Sequence, residues 1–153
     1  IVMTEQNLSS VDRFLEGNGC SQAVLTQFCE QVGLDELTAL KNSSGYPAGM
    51  RMAGICGAVT GAYMVLGLKF ADQESSKSAG RKKVYEAVAE FTRRFKEKHD
   101  SLDCRDLLGC DIMTPAGKEI ADQKKLFKTV CPKFVENAST IVQELIDTED
   151  DQK

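Results

Sequence analysis

Cys56-Gly57-Ala58-Val59-Thr60-Gly61-Ala62-Tyr63-Met64-Val65-Leu66 decides how this chain folds. It lies in the longest apolar run, Ile55 to Leu68, which is dense in glycine and alanine. A membrane-spanning helix needs about 20 apolar residues, so this run is too short to cross a bilayer. It reads instead as a helix buried at the centre of the molecule, starting at Cys56 and stopped by Gly67. Gly57 and Gly61, with Ala58 and Ala62, leave one side of that helix without bulk. That suits close helix–helix packing. It would equally let backbone N–H groups approach a cluster, a disulfide or a bound anion. The residues alone leave both readings open.

Outward from this helix the chain reads as helices throughout. Toward the N-terminus, Thr4 or Ser9 can cap a first helix carrying Leu8, Val11, Phe14 and Leu15, which Gly17-Asn18-Gly19 stops. Asn18 is the expected N-cap of a second helix, Cys20 to Val32, with Leu25, Phe28, Cys29 and Val32 as its apolar stripe. Gly33 suits its C-cap, and Asp35 caps a third helix through Lys41. Ser43 to Ala53 contains glycine and proline and delivers the chain irregularly into the central helix. On the other side, Val84, Val88, Phe91 and Phe95 repeat at helical spacing through Lys98. Asp103 opens a short turn, Cys104 to Leu108, closed by Gly109, and a short helix is expected from Pro115 or Ala116. Pro132 fits the first turn of a last helix, whose apolar positions run from Phe134 to Ile146. Asp147 to Lys153 reads as a frayed acidic tail. The expected fold is all-α: one compact domain of about six to eight helices over residues 1–153, with its ordered core at 4–146. Core positions include Leu25, Phe28, Val65, Leu66, Val88, Phe91, Phe134, Ile141 and Leu145.

Composition narrows the function classes. A chain of 153 residues is long enough for one domain with a proper core. A formal net charge of −4 and the absence of tryptophan argue against a nucleic-acid partner, since phosphate binding needs clustered lysine and arginine. The first residues, Ile1-Val2-Met3-Thr4-Glu5-Gln6, show neither a basic stretch nor an apolar one, so no signal peptide is expected. The setting expected from this is cytoplasmic. Thiols are kept reduced there, and six cysteines point to catalytic, redox-sensing or metal-binding use.

Four of the six, Cys20, Cys56, Cys104 and Cys131, stand at expected helix starts. The positive end of a helix dipole favours thiolate over thiol, and thiolate is the form that binds metals and attacks disulfides. Cys29 lies mid-helix on an apolar stripe and reads as packing, whereas Cys110 follows Gly109 in a loop. No Cys-x-x-Cys occurs, which excludes the usual zinc-ribbon and thioredoxin spacings. The one histidine, His99, ends a basic helix and reads as a favourable cation at its C-terminus.

These residues resemble the C_GCAxxG_C_C family of redox-active proteins, whose members carry four characteristic cysteines. The family's Cys-Gly-Ala-x-x-Gly motif is Cys56-Gly57-Ala58-Val59-Thr60-Gly61. The first cysteine matches Cys20, the third Cys104 before Arg105-Asp106-Leu107-Leu108-Gly109, and the fourth Cys131 before the final helix. The resemblance covers nearly the whole chain. It implies redox use of those four cysteines and, through the family's association with transporter genes, a regulatory or thiol-carrier role beside a membrane protein.

Two classes of function follow. In one, Cys20, Cys56, Cys104 and Cys131 gather in one pocket as catalytic thiols or metal ligands, holding an iron–sulphur cluster or single metal ion, or cycling between dithiol and disulfide with an unidentified redox partner. Gly57, Ala58 and Gly61 would line that site. Tyr46, Met50 and Arg51 would come from the irregular segment, and Arg51 and Arg105 would favour thiolates by charge. In the other class the chain is a helical binding or scaffold module whose cysteines merely pack. A homodimer is compatible with either.

Overall fold

The computed structural model describes residues 8–153, so Thr4 as a cap lies outside the described residues. Among the described residues, nine α-helices carry the fold: α1 (Ser10–Leu15), α2 (Cys20–Phe28), α3 (Glu36–Asn42), α4 (Gly57–Phe70), α5 (Lys82–His99), α6 (Cys104–Leu108), α7 (Pro115–Gln123), α8 (Leu126–Thr129) and α9 (Cys131–Asp151). The one segment without a counterpart in the sequence reading is α8, a single turn set off by Lys125 at φ 53°.

Apolar residues on nearly every side of α4 bury most of it, leaving Leu68 as its one exposed side chain. Gly57, Ala58, Val59, Gly61, Ala62, Val65 and Leu66 are all buried, and α2, α5 and α9 pack around them. The core joins Leu25 and Phe28 of α2, Val65 and Leu66 of α4, Phe91 and Phe95 of α5, and Phe134, Ile141 and Val142 of α9. Val88 and Leu145 pack against it while partly buried. Phe91 stacks on Phe95 at 5.8 Å and meets the edge of Tyr63 at 5.7 Å. The Tyr63 hydroxyl hydrogen-bonds Thr92 across α4 and α5.

Caps set the helix starts. Ser9 and Asp12 form a capping box on α1, Asp35 Oδ2 accepts from the Thr38 N–H at 2.9 Å, and Thr114 Oγ1 from the Gly117 N–H at 3.0 Å. For α2 the N-cap is Gly19 and not Asn18. The Gln22 side chain accepts the Gly19 N–H at 2.9 Å, and Pro47 leaves no room for a β-carbon on Gly19.

Three helix ends differ from the sequence reading. α2 stops at Phe28, because the chain folds back in tight turns closed by Gly33 at φ 72° and by Leu34 N–H donating to Cys29 O at 2.9 Å. Gly67 does not stop α4. Its cost inside a helix is about 1 kcal/mol relative to alanine, and burial of Phe70 against the core outweighs that. Residues 147–151 continue α9 as helix, with Asp150 bound by Lys69 at 2.8 Å and Glu149 by Lys83 at 2.9 Å.

Between α3 and α4 the backbone takes an unusual path. Ala48, Met50, Arg51 and Ala53 have φ between 55° and 59°, and Gly49 has φ 62°. A left-handed conformation costs about 1–2 kcal/mol for each residue with a β-carbon. The turn is closed by Met50 N–H to Tyr46 O at 2.8 Å and Gly54 N–H to Gly49 O at 2.9 Å. Gly49 is obligatory here, since a β-carbon would overlap the Gly54 backbone. Strain of this kind persists where surrounding structure holds it, and it clusters at functional sites.

Candidate functional site

Four helix starts supply the four motif cysteines. Cys20, Cys104 and Cys131 are the first residues of α2, α6 and α9, and Cys56 is the N-cap of α4. An isolated antiparallel bridge between Ile55 and Asp103 locks two of those starts side by side. In it Cys56 N–H donates to Leu102 O at 2.8 Å, and Cys104 N–H donates to Gly54 O at 2.6 Å.

The same four cysteines line a cavity of about 260 Å³. Its remaining walls are mostly apolar, from residues such as Phe14, Pro47, Leu108, Ile112, Phe127 and Phe134. Two cations, Arg51 and Lys118, belong to the lining, and no aspartate or glutamate does.

On the cavity wall, the Cys20 sulphur lies against the start of α4, whose N-cap is Cys56. The Cys56 S–H donates to Cys20, which is thereby held acidic, at about 7 instead of 9.0. Burial opposes that shift, while backbone N–H groups of Ala48, Ser21 and Cys20 itself reinforce it. Cys56 is pushed well up by giving its proton to Cys20 and by burial. The negative charge of the pair therefore rests on Cys20. The left-handed turn has a part in this, because it aims the Ala48 N–H at the sulphur. Successive amides in such a conformation form an anion-binding concavity.

Gly57 completes the arrangement. A β-carbon there would overlap Cys20 Sγ, so only glycine at the start of α4 lets the thiol lie against the helix. Gly61 answers a separate demand: its β-carbon would stand 2.7 Å from Ser21 O, where α2 and α4 cross. Ala58 donates its N–H to Cys56.

Cys104 and Cys131 behave differently. Burial pushes Cys104 up to about 11 and Cys131 up to about 12, and the charge on Cys20 adds to both shifts. Both stay protonated at neutral pH. All six cysteines are free thiols, and among the described residues no three His, Cys, Asp or Glu side chains group to hold a metal ion.

Other candidate residues fall into place around this centre. Arg51 lines the cavity and is exposed, but it is not among the groups that lower Cys20. Arg105 lies outside the lining and pairs with Asp111 at 3.1 Å, so it does not serve the thiolate. Tyr46 and Met50 are not lining residues, whereas their neighbours Pro47 and Ala48 are. Cys29 is buried in the core away from the cavity, and burial pushes its thiol up. Cys110 is buried and does not line the cavity. His99 lies against Phe95 at 4.6 Å and Phe134 at 5.0 Å, with Asn137 at 3.0 Å from its Nε2. Burial holds it toward the neutral form, which corrects its reading as a cation at a helix end. Ala48 escapes sequence reasoning altogether, for nothing in an alanine signals a left-handed backbone.

The profile of the C_GCAxxG_C_C family, described as "Putative redox-active protein", matches residues 19–145. The chain belongs to that family. The match spans all four helix-start cysteines and the Cys56–Gly61 motif. Comparison with curated proteins and with solved structures finds no match. Among the described residues, no helix is long and apolar enough to cross a membrane.

Proposed function

We propose that this protein exchanges dithiol for disulfide, with Cys20 as the attacking thiolate and Cys56 as the resolving thiol. The observation that carries this reading is the placement of Cys20 and Cys56 together on the wall of one cavity, with glycine at position 57 letting the Cys20 sulphur lie against the start of α4. The attacking thiol of an exchange reaction works best with a pKa near the ambient pH, where ionisation and nucleophilicity are balanced. Cys20 at about 7 meets that condition.

In the first step Cys20 attacks a substrate disulfide, R–S–S–R′. The substrate S–S bond breaks, a Cys20–S–S–R bond forms, and R′S⁻ leaves and takes a proton from water. Cys20 can then no longer accept the Cys56 hydrogen bond, so the main cause holding the Cys56 proton is gone. Cys56 releases its proton and attacks Cys20 Sγ. The departing RS⁻ takes up that proton. Two electrons pass from the protein dithiol to the substrate, which becomes two thiols, and the protein is left with a Cys20–Cys56 disulfide. A thiol-bearing redox partner in a reducing, cytoplasmic setting returns it to the dithiol. Cys104 and Cys131, protonated at neutral pH, do not compete for the first attack.

The pH dependence of thiol alkylation tests this assignment. Because Cys20 is acidified, its thiolate is present above about pH 7 and is lost as pH falls through that value. Alkylation of Cys20, followed by peptide mass spectrometry, should rise through about pH 7 and then level. A rate that keeps climbing to pH 9 or beyond would show an ordinary thiol and defeat the reading.

A further inference from the structure

We infer that the cavity takes a small, largely apolar disulfide carrying a carboxylate or sulfonate, and that Arg51 at its mouth binds that anion. This rests on the dithiol reading above and goes on to name its substrate class. Size comes first. A cavity of about 260 Å³ is on the scale of one small molecule, since an engineered void of about 150 Å³ takes up benzene. Its walls are aromatic and aliphatic, and they offer little to a polar substrate.

Charge selects further. No carboxylate lines the cavity, so nothing there repels an anion. Of the two lining cations, Lys118 is satisfied by Asp122 at 2.9 Å and sits over the Phe127 ring at 5.3 Å. Arg51 makes no ion pair or side-chain hydrogen bond among the described residues. Its planar guanidinium matches a carboxylate with two parallel donors. Geometry ties it to the chemistry, because one left-handed turn presents the Ala48 N–H to Cys20 and carries Arg51 at φ 58° to the cavity mouth. An anion seated on Arg51 would thus leave the apolar body of the ligand, with its S–S bond, inside the cavity with Cys20.

Two small aromatic disulfides separate these claims: 5,5′-dithiobis(2-nitrobenzoate), which carries carboxylates, and uncharged 2,2′-dipyridyl disulfide. Stopped-flow exchange with the intact chain should show Arg51→Gln slowing the carboxylate reagent about tenfold, the value of one charge-assisted hydrogen bond, through a raised KM. The neutral reagent should react as before, and Arg51→Lys should recover part of the loss. Equal slowing of both reagents, or no slowing of either, would overturn the role of Arg51 while leaving the dithiol reading intact. Failure of both reagents to react faster at Cys20 than at buried Cys29 would overturn the dithiol reading and this inference with it.

Discussion

Cys20→Ser is expected to slow exchange with small disulfides about a hundredfold at pH 7. The size follows from ionisation weighed against nucleophilicity. Cys20, at about 7, is roughly half thiolate there, whereas Cys104 and Cys131, at about 11 and 12, are ionised only to about 10⁻⁴ and 10⁻⁵. Higher basicity returns about two powers of ten in nucleophilicity, on a Brønsted slope of about 0.4–0.5. The remainder, about a hundredfold, is the predicted loss as far as Cys104 and Cys131 stand in for Cys20, while burial still holds the Cys56 thiol up and keeps it from doing so. Cys56→Ser should behave differently. A serine hydroxyl can still donate to Cys20, so the first attack persists, but no thiol resolves the product. The mixed disulfide should accumulate and be visible as a mass adduct on the intact protein. Cys29→Ser should leave exchange kinetics unchanged, because Cys29 lies outside the cavity lining. Equal losses from Cys20→Ser and Cys29→Ser would mean that a packing position has been taken for a reacting one.

Gly57→Ala should damage both stability and chemistry. Alanine is ordinarily the better helix former by about 1 kcal/mol, so propensity alone predicts a gain. The added methyl, however, overlaps Cys20 Sγ and comes within 3.1 Å of the Ser21 amide nitrogen and 3.4 Å of the Tyr46 carbonyl. Cys20 is short and anchored at the first turn of α2, so its sulphur must swing away or the two helices must part. Overpacking of this kind costs about 1–3 kcal/mol. Either movement breaks the sulphur pair and returns Cys20 toward an ordinary thiol pKa. Gly67→Ala is the control, since it lies in the same helix with open space around it and should gain up to about 1 kcal/mol. Denaturant unfolding combined with thiolate absorbance at 240 nm checks both. Wild-type stability and an unmoved titration in Gly57→Ala would remove the case for Gly57 as the seat of Cys20.

How far the sequence discloses this structure depends on the range of the interaction. Local punctuation is legible: Pro132 marks the start of α9, and the glycines at 19, 33 and 109 bound helices where their backbone freedom or lack of bulk is needed. The apolar run of α4 declares a buried centre, and the α5 stripe declares its inner face. Helix ends are less legible, because tertiary contacts decide them. The acidic stretch 147–151 reads as frayed until Lys69 and Lys83, far away in sequence, supply its partners. The site divides in the same way. Cysteines at helix starts can be read from neighbouring caps, and all four line one cavity. The bridge that sets Cys56 beside Cys104 joins residues 48 positions apart and leaves no mark in either segment. The left-handed turn is equally silent, since alanine, methionine and arginine rarely adopt that conformation. Four cysteines in order suggest a shared thiol site, but that Gly57 seats the Cys20 sulphur against the start of α4 is visible only in three dimensions.

The most direct test of the Cys20–Cys56 pair is to map the first disulfide the protein forms. The reduced chain would be treated with less than one equivalent of a small disulfide, quenched with acid, alkylated and digested for peptide mass spectrometry. The predicted result is one dominant crosslink joining the peptides of Cys20 and Cys56, with Cys29, Cys104, Cys110 and Cys131 recovered alkylated. A first crosslink between any other two cysteines, or oxidation that leaves Cys20 and Cys56 both alkylated, would contradict the account.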